Sequence, residues 1–141
     1  MAKTTTGISD PFNNATNPKR IPRSVSAYDI TVTNTGTALI DANSLVITDT
    51  IPANTSMVVA GATPVQFVDG APVSGLTFSN ANVSYSNQAS GGAPFNYTPT
   101  PNANGVDPAV TGLRIAPSGT MAGASAAGQP SFQLRFQVMV N

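Results

Sequence analysis

From Ser26 to Asn34 apolar Tyr28, Ile30 and Val32 alternate with polar Asp29, Thr31 and Thr33, the period-two pattern of a strand with one buried face. Asn34-Thr35-Gly36-Thr37 supplies a turn. Ser44 to Ile51 repeats the pattern with Leu45, Ile47 and Ile51 on one face, and Pro52-Ala53-Asn54 closes it because proline cannot donate into a ladder. The strictest alternation comes last: Phe132, Leu134, Phe136, Val138 and Val140 against Gln133, Arg135, Gln137 and Met139. Between these lie shorter candidates at Met57 to Ala60, Val65 to Val68, Leu76 to Phe78, Val83 to Tyr85 and Val110 to Ile115. Asp69-Gly70 after the second of them suits a tight hairpin. Gln88 to Gly105 is rich in Gly, Pro and Asn and reads as a long surface loop with a short strand near Asn96 to Thr98. Met121 to Gln129 is small and flexible in composition. No segment carries helix capping and a 3.6-residue period.

About six to nine short strands with turn signals every ~8–12 residues predict an all-β fold, an immunoglobulin-like antiparallel β-sandwich, over residues 24–141. The expected core is Tyr28, Ile30, Val32, Leu45, Ile47, Phe132, Leu134, Phe136 and Val138, because a one-residue slip would expose the whole set. Residues 1–23 differ in kind. They form an extended N-terminal arm, polar through Lys3 to Thr6 and interrupted by Pro11, Pro18 and Pro22. Such an arm frays unless it is held, so it is expected to pack as a strand on a sheet edge, that of another copy above all.

Composition narrows the function. The 141 residues carry six Lys plus Arg against six acids, all Asp, with no His, Cys, Glu or Trp. Zero net charge and 9% charged residues exclude phosphate-driven nucleic-acid binding and polybasic attachment to a membrane. The usual bases, nucleophiles and soft metal ligands are missing, so no enzyme activity and no cofactor are expected. No run approaches the ~20 apolar residues of a membrane span, so no membrane insertion is expected. A low-charge surface built on Thr, Ser and Asn is expected of a secreted, extracellular β-module, whose signal peptide is then expected to lie outside this sequence, and it permits self-association.

Tyr28-Asp29-Ile30-Thr31-Val32-Thr33-Asn34-Thr35-Gly36 and Leu45-Val46-Ile47-Thr48-Asp49-Thr50-Ile51-Pro52-Ala53-Asn54-Thr55 resemble the "YTITVTNTG … VTDTLPAG" signature of a repeat family of unknown function in bacterial and archaeal surface proteins. Ser9-Asp10-Pro11, Asn17 to Pro22, Asp107 to Val110 and Pro130 to Phe136 extend the resemblance over most of the chain. Arg23 departs from it, since the family usually has Gly in the turn after Ile-Pro. The resemblance implies an immunoglobulin-like sandwich on the outside of a prokaryotic cell, used in tandem arrays, adhesins or fibres. It implies no reaction.

The remaining candidate chemistry is sparse. Asp41, Asp49, Asp69 and Asp107 are oxygen ligands of the kind Ca²⁺ uses, but none stand at calcium-loop spacing, so turn, capping and ladder-edge roles are expected of them. Lys3 and Asn141 are the residue types of an intramolecular isopeptide cross-link, though the chain has no Glu to assist it. Four N-x-[ST] sequons, at Asn14, Asn54, Asn82 and Asn96, are expected from chance in so Ser- and Thr-rich a chain. Lys19, Arg20 and Arg23 form a basic cluster suited to a solvated loop, to an acidic patch on an adjacent subunit or to an anionic cell-wall polymer.

The reading that joins these features is a structural subunit of an extracellular filament or surface assembly. Its partner is itself, a homopolymer joined by strand exchange or augmentation through Thr4, Thr6, Ile8, Lys19, Arg20 and Arg23. The alternative is a monomeric adhesive or spacer module that binds a glycan or protein through its loops, the loop from Gln88 to Gly105 foremost.

Overall fold

The computed structural model describes all residues 1–141. The strands are β1 (Ala2–Ser9), β2 (Val25–Thr33), β3 (Ile47–Thr50), β4 (Thr55–Val58), β5 (Val65–Asp69), β6 (Val83–Ser86), β7 (Val106–Asp107), β8 (Gly112–Ile115) and β9 (Ser131–Val140), with one 3-10 turn at Asn80–Asn82. They form two antiparallel sheets. The larger runs β1-β2-β9-β4-β7, with β5 also paired to β9, and the smaller runs β3-β8-β6.

β9 is the spine of the larger sheet. On one side it meets β2 from Val25 opposite Met139 to Thr33 opposite Ser131. On the other it meets β5 through Phe132 to Phe136 and β4 through Val138 to Val140. A strand with neighbours on both sides has no free edge, and its side-chain period decides which face is dry. Phe132, Leu134, Phe136 and Val138 are buried, and the residues between them are half-buried on the outer face. Tyr28 stacks on Phe136, with ring centroids 5.5 Å apart, and Phe67 on Phe132 at 5.2 Å. The smaller sheet lays Ile47, Leu113 and Ile115 onto the same core.

Six of the nine expected core residues are buried, namely Ile30, Ile47, Phe132, Leu134, Phe136 and Val138; Tyr28, Val32 and Leu45 pack against them partly exposed. The core also takes in Met57, Val59, Val65, Leu76, Val110, Leu113, Ile115 and Met121. Met121 comes from the small-residue segment, where its backbone bridges to Ile40.

Two local expectations are corrected. Leu76 to Phe78 is no strand, because Thr77 makes a single bridge with Ser118 and no ladder follows. Asp69-Gly70 does not turn a hairpin. Gly70 N–H donates to the Ser131 carbonyl at 2.8 Å, continuing the β5 register with β9, and a Cβ on Gly70 would collide with Ser131. The glycine serves a close approach of two backbones, not a reversal of the chain. Near Asn96 to Thr98 the only pairing is an isolated bridge of Tyr97 with Tyr85.

The central position of β9 sets the scale of its substitutions. Phe136→Ala is expected to cost about 3–5 kcal/mol in urea unfolding, as for other buried aromatics, whereas Gln137→Ala on the outer face stays within about 0.5 kcal/mol. Equal and small losses at both positions would contradict the alternation.

Candidate functional site: the N-terminal edge strand

β1 is antiparallel to β2 of its own chain, from Ala2 opposite Thr31 to Gly7 opposite Ser26, and the register shifts between Gly7 and Ser9. It is the outermost strand of the larger sheet. Alternation divides its side chains. Thr4, opposite outward Asp29, and Thr6 are exposed, while Lys3, opposite core residue Ile30, turns toward the second sheet with 36% of its side chain still accessible. Ile8 falls at the register shift, without a cross-strand partner, and is half-buried. Thr4, Thr6 and Ile8 therefore do not share one continuous face; the bulge breaks the period that a sequence reading assumes.

The inward turn of Lys3 is the feature that sequence reasoning missed. Its Nζ stands 2.6 Å from Oδ2 of Asp49 on β3, so it spans the gap between the edge strands of the two sheets. The same Nζ lies 4.6 Å from the Tyr28 ring centroid and 5.7 Å from that of Phe136. Asn141, the sequence-based partner for Lys3, instead accepts a hydrogen bond from Ser56 Oγ at 2.6 Å. It lies seven residues along the chain from Leu134, which shares the Lys3–Ile30 row, or about 23 Å at ~3.3 Å per residue.

Lys19, Arg20 and Arg23 stand apart from β1, exposed on the segment joining it to β2 and outside the ion pairs of the structure. Asp10 knots that segment. Its Oδ1 accepts the N–H groups of Phe12 and Asn13, each at 2.7 Å, and its Oδ2 accepts Asn13 Nδ2 at 3.1 Å and Lys19 N–H at 2.6 Å. The Asn13 amide, then that of Lys19, hold the carboxyl at about 2 against an ordinary 3.8, although burial pulls the other way. Arg23 has φ of +68°, a left-handed conformation that glycine adopts at least cost.

Asp107 fastens the long loop in the same manner. Its Oδ2 accepts the Tyr97 hydroxyl at 2.9 Å and the Thr100 N–H at 2.7 Å, and its Oδ1 accepts the Ala109 N–H at 2.8 Å. Burial opposes the charge, but these three donors outweigh it and lower the carboxyl pKa. The bond to Asp107, with burial second, raises that of the Tyr97 hydroxyl. At the loop's other end a Cβ on Gly112 would strike the Gly91 carbonyl, so the loop sits directly on β8.

No three acids converge at one point in the structure. The most enclosed cleft, about 210 Å³, lies between the segment Val58 to Gln66 and Arg135. Arg135 is already engaged there by its neighbour: Nε and Nη2 donate to Oδ1 and Oδ2 of Asp29 at 2.7 and 2.9 Å. No helix of the structure is long and apolar enough to cross a membrane. No family model, no curated protein and no solved structure matches the chain.

Two outcomes are expected from these fastenings. Arg23→Gly relieves a left-handed strain of about 1–2 kcal/mol but restores unfolded-state freedom worth about 0.5–1 kcal/mol. A net gain of up to about 1.5 kcal/mol should appear in urea unfolding, and a net loss would contradict the strain. Because Asp10 has a depressed folded pKa, its stabilisation is complete above the ordinary 3.8 and disappears as pH falls through about 2. Amide exchange at Asn13 and Lys19 should therefore stay protected down to that range. Loss of protection already near the ordinary value would contradict the knot.

Proposed function

We propose that this chain is a structural subunit of an extracellular prokaryotic filament or surface assembly, an immunoglobulin-like module whose copies join by β-augmentation along the free edge of β1. The observation that carries the reading is that edge. It is eight residues long with no proline, it exposes Thr4 and Thr6, and its one charged side chain is turned inward onto Asp49. Natural sheets protect such an edge with outward lysines, prolines, a covering segment, bulges or inward-turned charges; β1 has a register shift at its end and the inward Lys3, and no outward lysine or proline along its length. The resemblance to surface-protein repeats and the low charge agree with this placement outside the cell.

Magnitudes favour augmentation as a reversible joint. An eight-residue antiparallel edge offers about 8 hydrogen bonds, or about 4–12 kcal/mol at ~0.5–1.5 kcal/mol each. Association costs about 4–15 kcal/mol. The two nearly cancel, so side-chain pairs across the new ladder decide whether copies stay together. Strand exchange, the other route, would have to pull β1 from β2 and stretch a connection that Asp10 holds by four hydrogen bonds.

The alternative, a monomeric adhesive or spacer module, has one observation in its favour. The loop from Gln88 to Gly105 is held by Asp107 and Tyr97, and a pre-organised loop loses less entropy on binding a glycan or protein. The exposed Lys19, Arg20 and Arg23 would give either form a contact for an anionic cell-wall polymer.

The test places lysine where an edge normally carries it. The full chain should form long assemblies in negative-stain electron microscopy and sediment above monomer mass. Thr4→Lys combined with Thr6→Lys should leave circular dichroism unchanged and abolish the assemblies. Wild-type protein that stays monomeric at high concentration would remove the filament reading and leave the adhesive module.

A further inference from the structure

The Lys3–Asp49 contact does not have the form of an ordinary ion pair. At 2.6 Å the two atoms are as close as a charge-assisted hydrogen bond allows, yet Asp49 Oδ2 is completely buried and has no aligned hydrogen-bond partner. The Asp49 side chain retains 15% of its accessible surface. A carboxylate oxygen stripped of water without an aligned donor is costly. The amine lies over the rings of Tyr28 and Phe136, while the Lys3 side chain keeps 36% of its accessible surface.

We infer that Lys3 and Asp49 are poised to condense into an intramolecular amide, a covalent clasp between β1 and β3. The reactants are one amine and one carboxyl group, and the pair supplies its own protons. Transfer of a proton from the ammonium to the carboxylate gives the neutral amine and the neutral acid that the condensation requires. Nζ then adds to Cγ. The C–N bond forms, one C–O bond breaks, and the oxygen leaves with two protons from the former ammonium as water. Charge and atoms balance with no oxidant, metal or activated co-reactant.

Two effects drive the step. Condensation removes the charge from a carboxylate oxygen that is buried without an aligned donor. Holding the groups in contact also replaces an encounter in solution by an intramolecular reaction, for which effective concentrations of about 10⁵ M and above are known. The Lys3 position is decisive: the β1 register opposite Ile30 puts its stem on the inward face, and Asp49 on β3, opposite Leu113 on β8, brings the carboxyl to the corresponding edge of the other sheet.

The product would close one side of the sandwich covalently and fix β1 in its own chain. Exchange of that strand with a neighbour would end, while its outer backbone edge stayed available.

Mass spectrometry decides the matter on the full chain, folded, purified and then denatured. The expected mass is lower than that of the sequence by one water, and a protease digest contains a branched peptide joining Lys3 to Asp49. Lys3→Arg and Asp49→Ala should each retain the water. Full mass in wild-type protein after prolonged incubation in the folded state would overturn the inference and leave an ion pair only. So would a water loss that persists in Lys3→Arg and maps to Asp69-Gly70, where a succinimide forms. Because the mass is read on separated denatured chains, the result stands apart from whether copies assemble.

Discussion

Everything in this fold hangs on β9 being paired along both sides. β2 occupies one edge for its whole length, and β5 and β4 share the other end to end. With both edges used, the strand cannot slide without breaking two ladders, and a slip by one residue would exchange Phe132, Leu134, Phe136 and Val138 for Gln133, Arg135, Gln137 and Met139. The first set meets Ile47, Leu113 and Ile115 of the smaller sheet, so the inter-sheet core inherits its register from β9. The outer face inherits it too, since Asp29 and Arg135 are direct cross-strand neighbours.

A chain with so few charges uses them locally. Asp10 and Asp107 spend their oxygens on backbone N–H groups of loops, Asp69 accepts the N–H groups of Gly70 and Ser74, and Asp29 and Asp49 face Arg135 and Lys3. Carboxylates that terminate backbone donors replace the ladder bonds a loop lacks, which is how a segment as long as Gln88 to Gly105 is held without strands. The cost is an outer surface poor in charge. β1, the longest edge strand, carries one charged side chain, and that one is turned inward.

The two proposals on β1 use different sides of one strand. Its inward face carries Lys3 to the second sheet, and its outer backbone edge faces solvent. A strand pinned from inside is a better template, because less of its own freedom is lost when another strand pairs with it. The inward anchoring and the outward edge therefore support each other physically, although each stands on its own observation.

Local patterning settled much of the architecture. Alternation in Ser26 to Asn34 and Phe132 to Val140 determined two strands, their buried faces and the all-β class, because side-chain direction in a strand depends on the chain's own period. The glycine expected after Ile-Pro was legible as a departure at Arg23, and the structure gives that position a positive φ. What the sequence did not contain was pairing between distant segments. Met121 looked like part of a flexible stretch, Asp69-Gly70 like a hairpin, and Asn141 like a partner for Lys3. Each was decided by which strand came to lie alongside, and sequence spacing does not encode that distance. Lys3 and Asp49 are 46 positions apart, each unremarkable in its own strand. Only the stacking of two sheets, driven by the burial of their shared core, brings the amine and the carboxyl into contact.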